Sequence, residues 1–314
     1  MAGNEPKRHH VVPDFYLQRF AKNGKLTVVD RDNLDRRYPS MVENAAVERY
    51  FYALPTEAGW DMTVEKTLSK LETIAAIDIT KLLAHRSTTF AGFRTRLSFF
   101  MAVQFVRGRN PRQAMVSLHK ELFKKAAQLS TPKMIQSELG RQGTSITIEK
   151  AKEIAAVGRD PTLSVEFQKI GPKQLPADSL VNAADVFKQA EDLIRFFYMR
   201  GWIVVEYDGL QLLTSDEPVA TGVDTRAPHR PAGLVNAESI VFPLDPSHAL
   251  VMMRPDLLSA PHQWAKGTEQ EARAVNQLVA FRGSRQIFFH PDSDPLDGLE
   301  IPSSPKHPQP NAHR

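Results

Sequence analysis

Cysteine is absent from this chain of 314 residues. That excludes disulfides, thiolate metal sites and a cysteine nucleophile, and it is compatible with a reducing compartment. Long hydrophobic runs are missing as well. The longest, Leu97 to Val106, is broken by Ser98 and Gln104, well short of the roughly 18 apolar residues that suggest a bilayer span. The start is polar and basic with no apolar stretch behind it, so we expect no signal peptide, no membrane contact and a cytoplasmic protein. A large excess of one charge is also lacking. Forty basic residues face 36 acidic ones, for a net charge of +4. This is too mild to argue for nucleic acid on charge alone, although the pI is near 9.2. There is no phosphate-cradling Gly-x-x-x-x-Gly-Lys, no Rossmann fingerprint, no His-Glu-x-x-His, no EF-hand loop and no Gly-x-Ser-x-Gly elbow. These absences argue against an NTPase, a dehydrogenase, a zincin and an α/β-hydrolase.

What is present suffices for a packed core, since hydrophobic residues make up 42% of the chain and charged ones 24%. Residues 1–13 read as an extended arm, because Pro13 disfavours helix at the residue before it. A short helix is expected over Asp14–Ala21 with Asp14 as its cap. Asn23-Gly24 marks a turn, and Leu26–Asp30, Tyr38 and Phe51–Leu54 fit strands of a small β-rich module.

From Asp61 the period changes to that of a helix. Val64, Leu68, Leu71, Ala75, Ile79 and Leu82 predict one amphipathic helix to Ala84. Ser87-Thr88-Thr89 can cap a second, apolar nearly all round, from Phe90 to Arg109, and a third spans 112–129. Residues 131–174 are more polar and read as short helices around loops, a variable insertion or lid. Ala184–Arg200 predicts a further helix ended by Gly201.

The last third is β-rich. Trp202–Tyr207 and Leu210–Thr214 flank Asp208-Gly209, a tight hairpin signal. Ser239–Leu244 and His248–Met253 predict two more strands, Glu269–Gly283 a helix and Arg285–His290 a final strand. Residues 291–314 hold six prolines and read as a disordered tail. The expected fold is therefore α+β, a mainly helical centre with a small antiparallel sheet formed largely by the C-terminal third. Residues 1–290 are expected to make one integrated domain.

The opening His9-His10-x-x-Pro13-x-Phe15-x-Leu17-x-x-Phe20 resembles that of bacterial proteins in domain-of-unknown-function family 4238. Gln104-x-x-Arg107, Thr214-Ser215-Asp216-x-Pro218-Val219, Phe242-Pro243-Leu244, and Asn276 leading to Arg285 look similar to later parts of it. These features span residues 7–290. The resemblance implies no activity, because the family is defined without one.

Candidate chemistry starts with Gln104 and Arg107, which share one face of the apolar central helix. A buried guanidinium needs partners, and Ser215-Asp216, at a strand end before Pro218, is the leading candidate. An Arg107–Asp216 fork would either tie helix to sheet or form an anion-binding or hydrolytic pocket. In an extended arm His9 and His10 point to opposite faces, so only one can enter such a pocket as a general base. The other reading of the pair is an anchor for the arm. Ser215 is a conceivable nucleophile, and Asn276 joins Gln104 and Arg107 as a candidate substrate contact. The metal, if any, is unknown. Glu65 and Glu72 lie on one helical face and could hold Mg²⁺ or Mn²⁺ with Asp216, or be solvated or paired with Lys66, Lys70 or nearby arginines. Arg94, Arg96, Arg107, Arg109, Arg112, Lys120, Lys124 and Lys125, with Lys7, Arg8, Arg19, Arg36 and Arg37, would form a phosphate-tracking patch if they converged. Glu121, Asp30, Asp32 and Asp35 dilute it, which favours a solvated face over nucleic acid. Two readings stay open. One is a hydrolase of a phosphate-containing substrate or nucleic acid, using His9 or His10, Arg107 and Asp216. The other is a non-enzymatic binding or sensor protein in which the same cluster is a structural lock or anion site.

Overall fold

The protein is seen in a computed structural model that describes residues 8–49, 54–56, 59–61, 63–86, 92–111, 131–141, 145, 147–152, 183–223, 232–257 and 262–301. The chain divides into two compact units, residues 1–109 with 182–314, and residues 110–181.

The first unit opens with β1 (Arg8–His10), α1 (Asp14–Gln18), β2 (Lys25–Asp30), β3 (Asn33–Met41), β4 (Val47–Arg49), β5 (Leu54–Thr56) and β6 (Gly59–Asp61). The helices α2 (Thr63–His85) and α3 (Phe93–Arg107) follow. The spacing of Leu68, Ala75, Ile79 and Leu82 buries one face of α2. Gly92, with φ at +67°, starts α3 in a conformation that suits a residue without Cβ. Pro13 precedes α1 as its cap, so Asp14 sits in the first turn instead, where its charge still complements the helix dipole. The expected caps at 87–89 and the helix at 112–129 lie outside the described residues, as do residues 51–53 of the strand expected over Phe51–Leu54, whose last residue opens β5.

In the second unit the described residues include α4 (Pro132–Arg141). Thr131 accepts the Met134 N–H at 3.3 Å at its start, and Thr147 does the same for Lys150 at 3.2 Å.

The first unit resumes with α5 (Ala183–Tyr198), β7 (Gly201–Glu206), β8 (Thr214–Ser215), β9 (Ala220–Thr221), β10 (Ser239–Asp245), β11 (His248–Met253), β12 (His262–Lys266), α6 (Glu269–Arg282) and β13 (Gln286–Phe289). A capping box starts α6. Thr268 Oγ1 accepts the Glu271 N–H at 3.2 Å, and the Glu271 carboxylate accepts the Thr268 N–H at 2.7 Å.

The fold is α+β, but its β part is larger than the small C-terminal sheet expected. A five-stranded sheet runs β12-β7-β11-β10-β9. Its β12–β7 pair is parallel, so this sheet is mixed. A four-stranded antiparallel sheet runs β3-β2-β13-β8, uniting an N-terminal hairpin with two C-terminal strands. The alternation in Lys25–Asp30 buries Leu26, Val28 and Val29. The backbone of β2 pairs with β3 on one edge and β13 on the other, and burial on both of its faces fits such an interior strand.

The hairpin expected at Asp208-Gly209 does not form. The turn is there, with Gly209 at φ +79°. Both edges of β7, however, are taken by β11 and β12. Residues 210–213 instead run along other elements, with the Leu212 N–H on the Pro246 carbonyl at 2.8 Å and the Leu213 N–H on Asn276 Oδ1 at 3.0 Å. The chain then enters the other sheet at Thr214.

The described part of the expected tail is also different. Residues 291–301 pack against α6, where Leu296, Leu299 and Ile301 join its apolar cluster. Arg273 and Gln277 bond the carbonyls of Asp297, Gly298 and Glu300. These few apolar side chains outweigh the polar, proline-rich context. Residues 302–314 lie outside the described residues.

Tyr16 ties the unit together. Its buried hydroxyl donates to the Pro243 carbonyl at 2.8 Å and shares a 2.8 Å bond with Thr214 Oγ1, so one side chain of α1 reaches both large sheets. Its ring stacks on Phe242 at 5.0 Å. On the other side α6 lays Ala272, Val275 and Val279 on a core shared by Val29, Ile287, Val241 and Ala249. Each large apolar side chain buried there contributes roughly 1.5–3 kcal/mol.

Candidate functional site

One end of the four-stranded sheet gathers its polar residues by register. Asp30, the last residue of β2, faces Gln286, the first of β13. Ser215, the last of β8, faces Ile287, and the Asp216 N–H bonds the Gln286 carbonyl at 3.0 Å. Asp30, Gln286 and Asp216 thus emerge side by side. The turn beyond β2 adds Asp32, and β3 adds Arg36 and Tyr38. The same cavity is lined by Val11, Ala46 and Val47 of the β1–β4 region, by Arg109 just past α3 and by Arg285 just before β13. Ala46 takes a left-handed φ of +50°, and its carbonyl accepts the Val11 N–H at 2.8 Å. Together these residues enclose a cavity of about 370 Å³.

Three carboxylates (Asp30, Asp32, Asp216) and three guanidiniums (Arg36, Arg109, Arg285) line it. Asp216 is held firmly. Its Oδ1 accepts the Ser284 N–H and its Oδ2 the Arg285 N–H, both at 2.8 Å. Arg36 bonds Asp30 loosely at 3.4 Å and lies 5.8 Å over the Tyr38 ring. Gln286 donates to the Tyr38 hydroxyl at 3.2 Å. Buried Arg31 joins the same turn, its N–H on the Arg285 carbonyl at 2.8 Å. Burial pushes its guanidinium pKa down, opposed by the charges of Asp32 and Asp216.

Of the residues expected to be catalytic or to contact substrate, Asp216 alone lines this cavity, while Arg36 and Arg109 of the expected basic patch line it too. Arg107, 2% exposed, belongs to a separate cluster. Its carboxylate partner is Glu72 of α2, at 2.7 Å, rather than the expected Asp216. Its other arm donates to the His10 backbone carbonyl at 2.5 Å. The reason is the helix geometry: Glu72 is on the α2 stretch facing α3, while both Asp216 oxygens face the turn before β13. Gln104, one turn before Arg107, is 3% exposed, and neither of its amide atoms has a partner among the described residues. His10 is half-buried, its backbone paired with Val47, and its buried Nδ1 is likewise unpartnered. The backbone of His9 pairs with Glu48; its side chain lies outside the described residues.

Ser215 is fully buried, packs on Gly283 and accepts the Glu217 N–H at 3.2 Å. A hydroxyl sealed this way is poorly placed to attack a substrate. Asn276 is committed to backbone, donating to Gln211 and Pro295 and accepting from Leu213. With Glu72 held by Arg107, the Glu65–Glu72 metal arrangement loses one ligand, and the Glu65 side chain lies outside the described residues. Among the described residues no group of three or more His, Asp or Glu could hold a metal ion.

Several basic residues weighed for nucleic acid are engaged within the fold. Arg94 bonds the carbonyls of Tyr198 and Arg200, and Arg96 forks onto Asp78 at 2.7 and 2.8 Å. Arg19 reaches Thr80 at 2.7 Å, and Arg37 reaches Asp294 at 2.5 Å. Lys120, Lys124, Lys125 and Arg112 lie outside the described residues. Among those described, no helix is long and apolar enough to cross a membrane.

Sequence reasoning gave Tyr38 and Gln286 no functional role; it grouped Arg36 and Arg109 in one possible basic patch diluted by Asp30 and Asp32, and it did not join them to Asp216 or Arg285 in one site. The available signal was Asp30-Arg31-Asp32, charges packed into the turn directly after an apolar strand. Their convergence with residues 250 positions away depends on a strand order that local pattern does not carry.

Fold and cavity define an α+β protein with a charge-lined cleft at the end of an antiparallel sheet. The chain belongs to the family described as "Protein of unknown function (DUF4238)", whose model matches residues 8–293. No curated protein matches it, and no solved structure does.

Proposed function

We propose that this is a binding or sensor protein whose cleft takes a small ligand carrying an anionic group. The observation that carries this reading is the convergence of Arg36, Arg109 and Arg285, from three separate parts of the chain, on one cavity of about 370 Å³. Guanidiniums recognise phosphate and carboxylate by paired, charge-assisted hydrogen bonds. Asp216, fixed by two backbone N–H groups, would orient the ligand's donors. The His10, Glu72 and Arg107 cluster then serves as a lock, fixing the N-terminal arm to α2 and α3. A hydrolase reading would need Arg107 to hold substrate. Its burial and its bonds to Glu72 and His10 disfavour that role.

The test is calorimetric titration of the full chain with phosphorylated and carboxylated small molecules, beside an Arg109→Ala/Arg285→Ala double variant. Binding that weakens at least about ten-fold in the variant, roughly 1.4 kcal/mol, is expected. Turnover of a phosphodiester by the wild type, lost in His10→Ala and Asp216→Ala, would replace this reading with the hydrolase.

A further inference from the structure

We infer that the ligand of this cleft is a nucleoside phosphate; the inference rests on the anion-binding reading above. Its first support is the balance of charge. Three aspartates stand among the three arginines of the lining. A bare anion would gain from the guanidiniums and lose to the carboxylates, which attract cations and hydrogen-bond donors. The complementary ligand carries an anion at one point and several donors at another. A ribose with two hydroxyls, or a base with an exocyclic amino group, supplies such donors.

The second support is the aromatic wall. Tyr38 keeps 37% of its surface exposed and its ring is steadied by Gln286 on the hydroxyl and Arg36 over the ring. An exposed tyrosine beside arginine is a platform on which a flat heterocycle stacks, worth about 1–3 kcal/mol per base. Val11, Ala46 and Val47 add apolar surface to the same lining, against which a ring can pack. The volume of about 370 Å³ lies within the roughly 300–1,000 Å³ typical of small-molecule sites. An extended strand of nucleic acid would need a long basic groove instead.

The experiment is calorimetric titration of the full chain with common ribonucleoside 5′-monophosphates, the matching nucleosides, a hexose phosphate and inorganic phosphate. At least one nucleotide is expected to bind about ten-fold or more tightly than each of the other three classes. Tyr38→Ala should remove its advantage over the hexose phosphate, and Asp32→Asn should weaken nucleotide but not phosphate binding. Both residues are exposed, and an unchanged melting temperature checks that each variant folds. Equal or tighter binding of hexose phosphate or inorganic phosphate overturns the nucleotide inference while leaving the anion site intact. A carboxylated ligand that binds where no phosphate compound does has the same consequence. Binding of no anion at all overturns both.

Discussion

Glu72 and Arg107 meet at 2.7 Å between α2 and α3, and the same guanidinium holds the carbonyl of His10. One side chain therefore fastens the N-terminal arm to two helices. Removing one member of a buried ion pair leaves the other uncompensated, at a cost of about 3–5 kcal/mol. Arg107→Leu should lower stability by that order, as read by urea denaturation. Glu72→Gln keeps a hydrogen-bond acceptor on a less buried side chain and should cost clearly less. Equal losses for the two would show that the carboxylate charge, not the tie to the arm, dominates.

Asp216 makes a contrasting prediction. Its two oxygens each satisfy one backbone N–H of the turn into β13. Asp216→Ala orphans both donors and should cost about 1–3 kcal/mol. Asp216→Asn retains one acceptor and should recover part of that loss. Thermal melts of the two variants check the order. If Asn is no better than Ala, the side chain is not capping the turn.

Gln104 should behave in the opposite sense. Both ends of its buried amide lack partners among the described residues, and an unsatisfied buried polar group costs about 1–3 kcal/mol. Gln104→Leu, close in volume, should raise stability, visible as a higher urea midpoint with an unchanged slope. A marked destabilisation would mean that the amide is satisfied in solution by a group the protein binds there.

These relationships were unequally legible in the sequence. The spacing of Leu68, Ala75, Ile79 and Leu82 announces α2, and Asp245-Pro246-Ser247 between two apolar runs announces β10 and β11. Such features are local. The pairing of Val28 with Phe288 is not. Alternation says that each is a strand residue but not which strand it joins. Asp208-Gly209 misled for the same reason: it makes a turn, but the partner of β7 is decided by competition among distant strands. At the site, the position of Asp216 after a strand and before Pro218 was readable. The partner of Arg107 was not, because a buried charge demands a counter-charge without naming one.

Glu206 gives a prediction in pH. Hydrogen bonds from Lys266 and Trp264, and the charge of Arg86, hold its carboxyl below the ordinary carboxylate range. A carboxylate with a depressed folded pKa stabilises the fold fully above its ordinary value, and that stability is lost as pH falls through the folded value. Melting temperature should therefore drop more steeply for wild type than for Glu206→Gln as pH falls below the ordinary carboxylate range. Near neutral pH the variant should be the less stable of the two. Parallel curves would remove Glu206 from the account of acid unfolding.

Arg200 is anchored by backbone instead. Its buried guanidinium donates to five backbone carbonyls, those of Phe196, Leu234, Ala237, Glu238 and Met252. Burial, with the like charge of Arg254, pushes its pKa down to about 10. The planar fork can address carbonyls from several directions at once, whereas a lysine ammonium has three donors around one point. Arg200→Lys should thus be far from conservative, leaving carbonyls of the 234–238 loop without their donor and costing about 1–3 kcal/mol. Hydrogen exchange gives the specific readout. Protection should fall first at Arg254, whose N–H bonds the Glu238 carbonyl, and at Gly222, whose N–H bonds Ser239. Uniform loss across the five-stranded sheet would instead mean that Arg200 supports the whole sheet rather than pinning this loop to it.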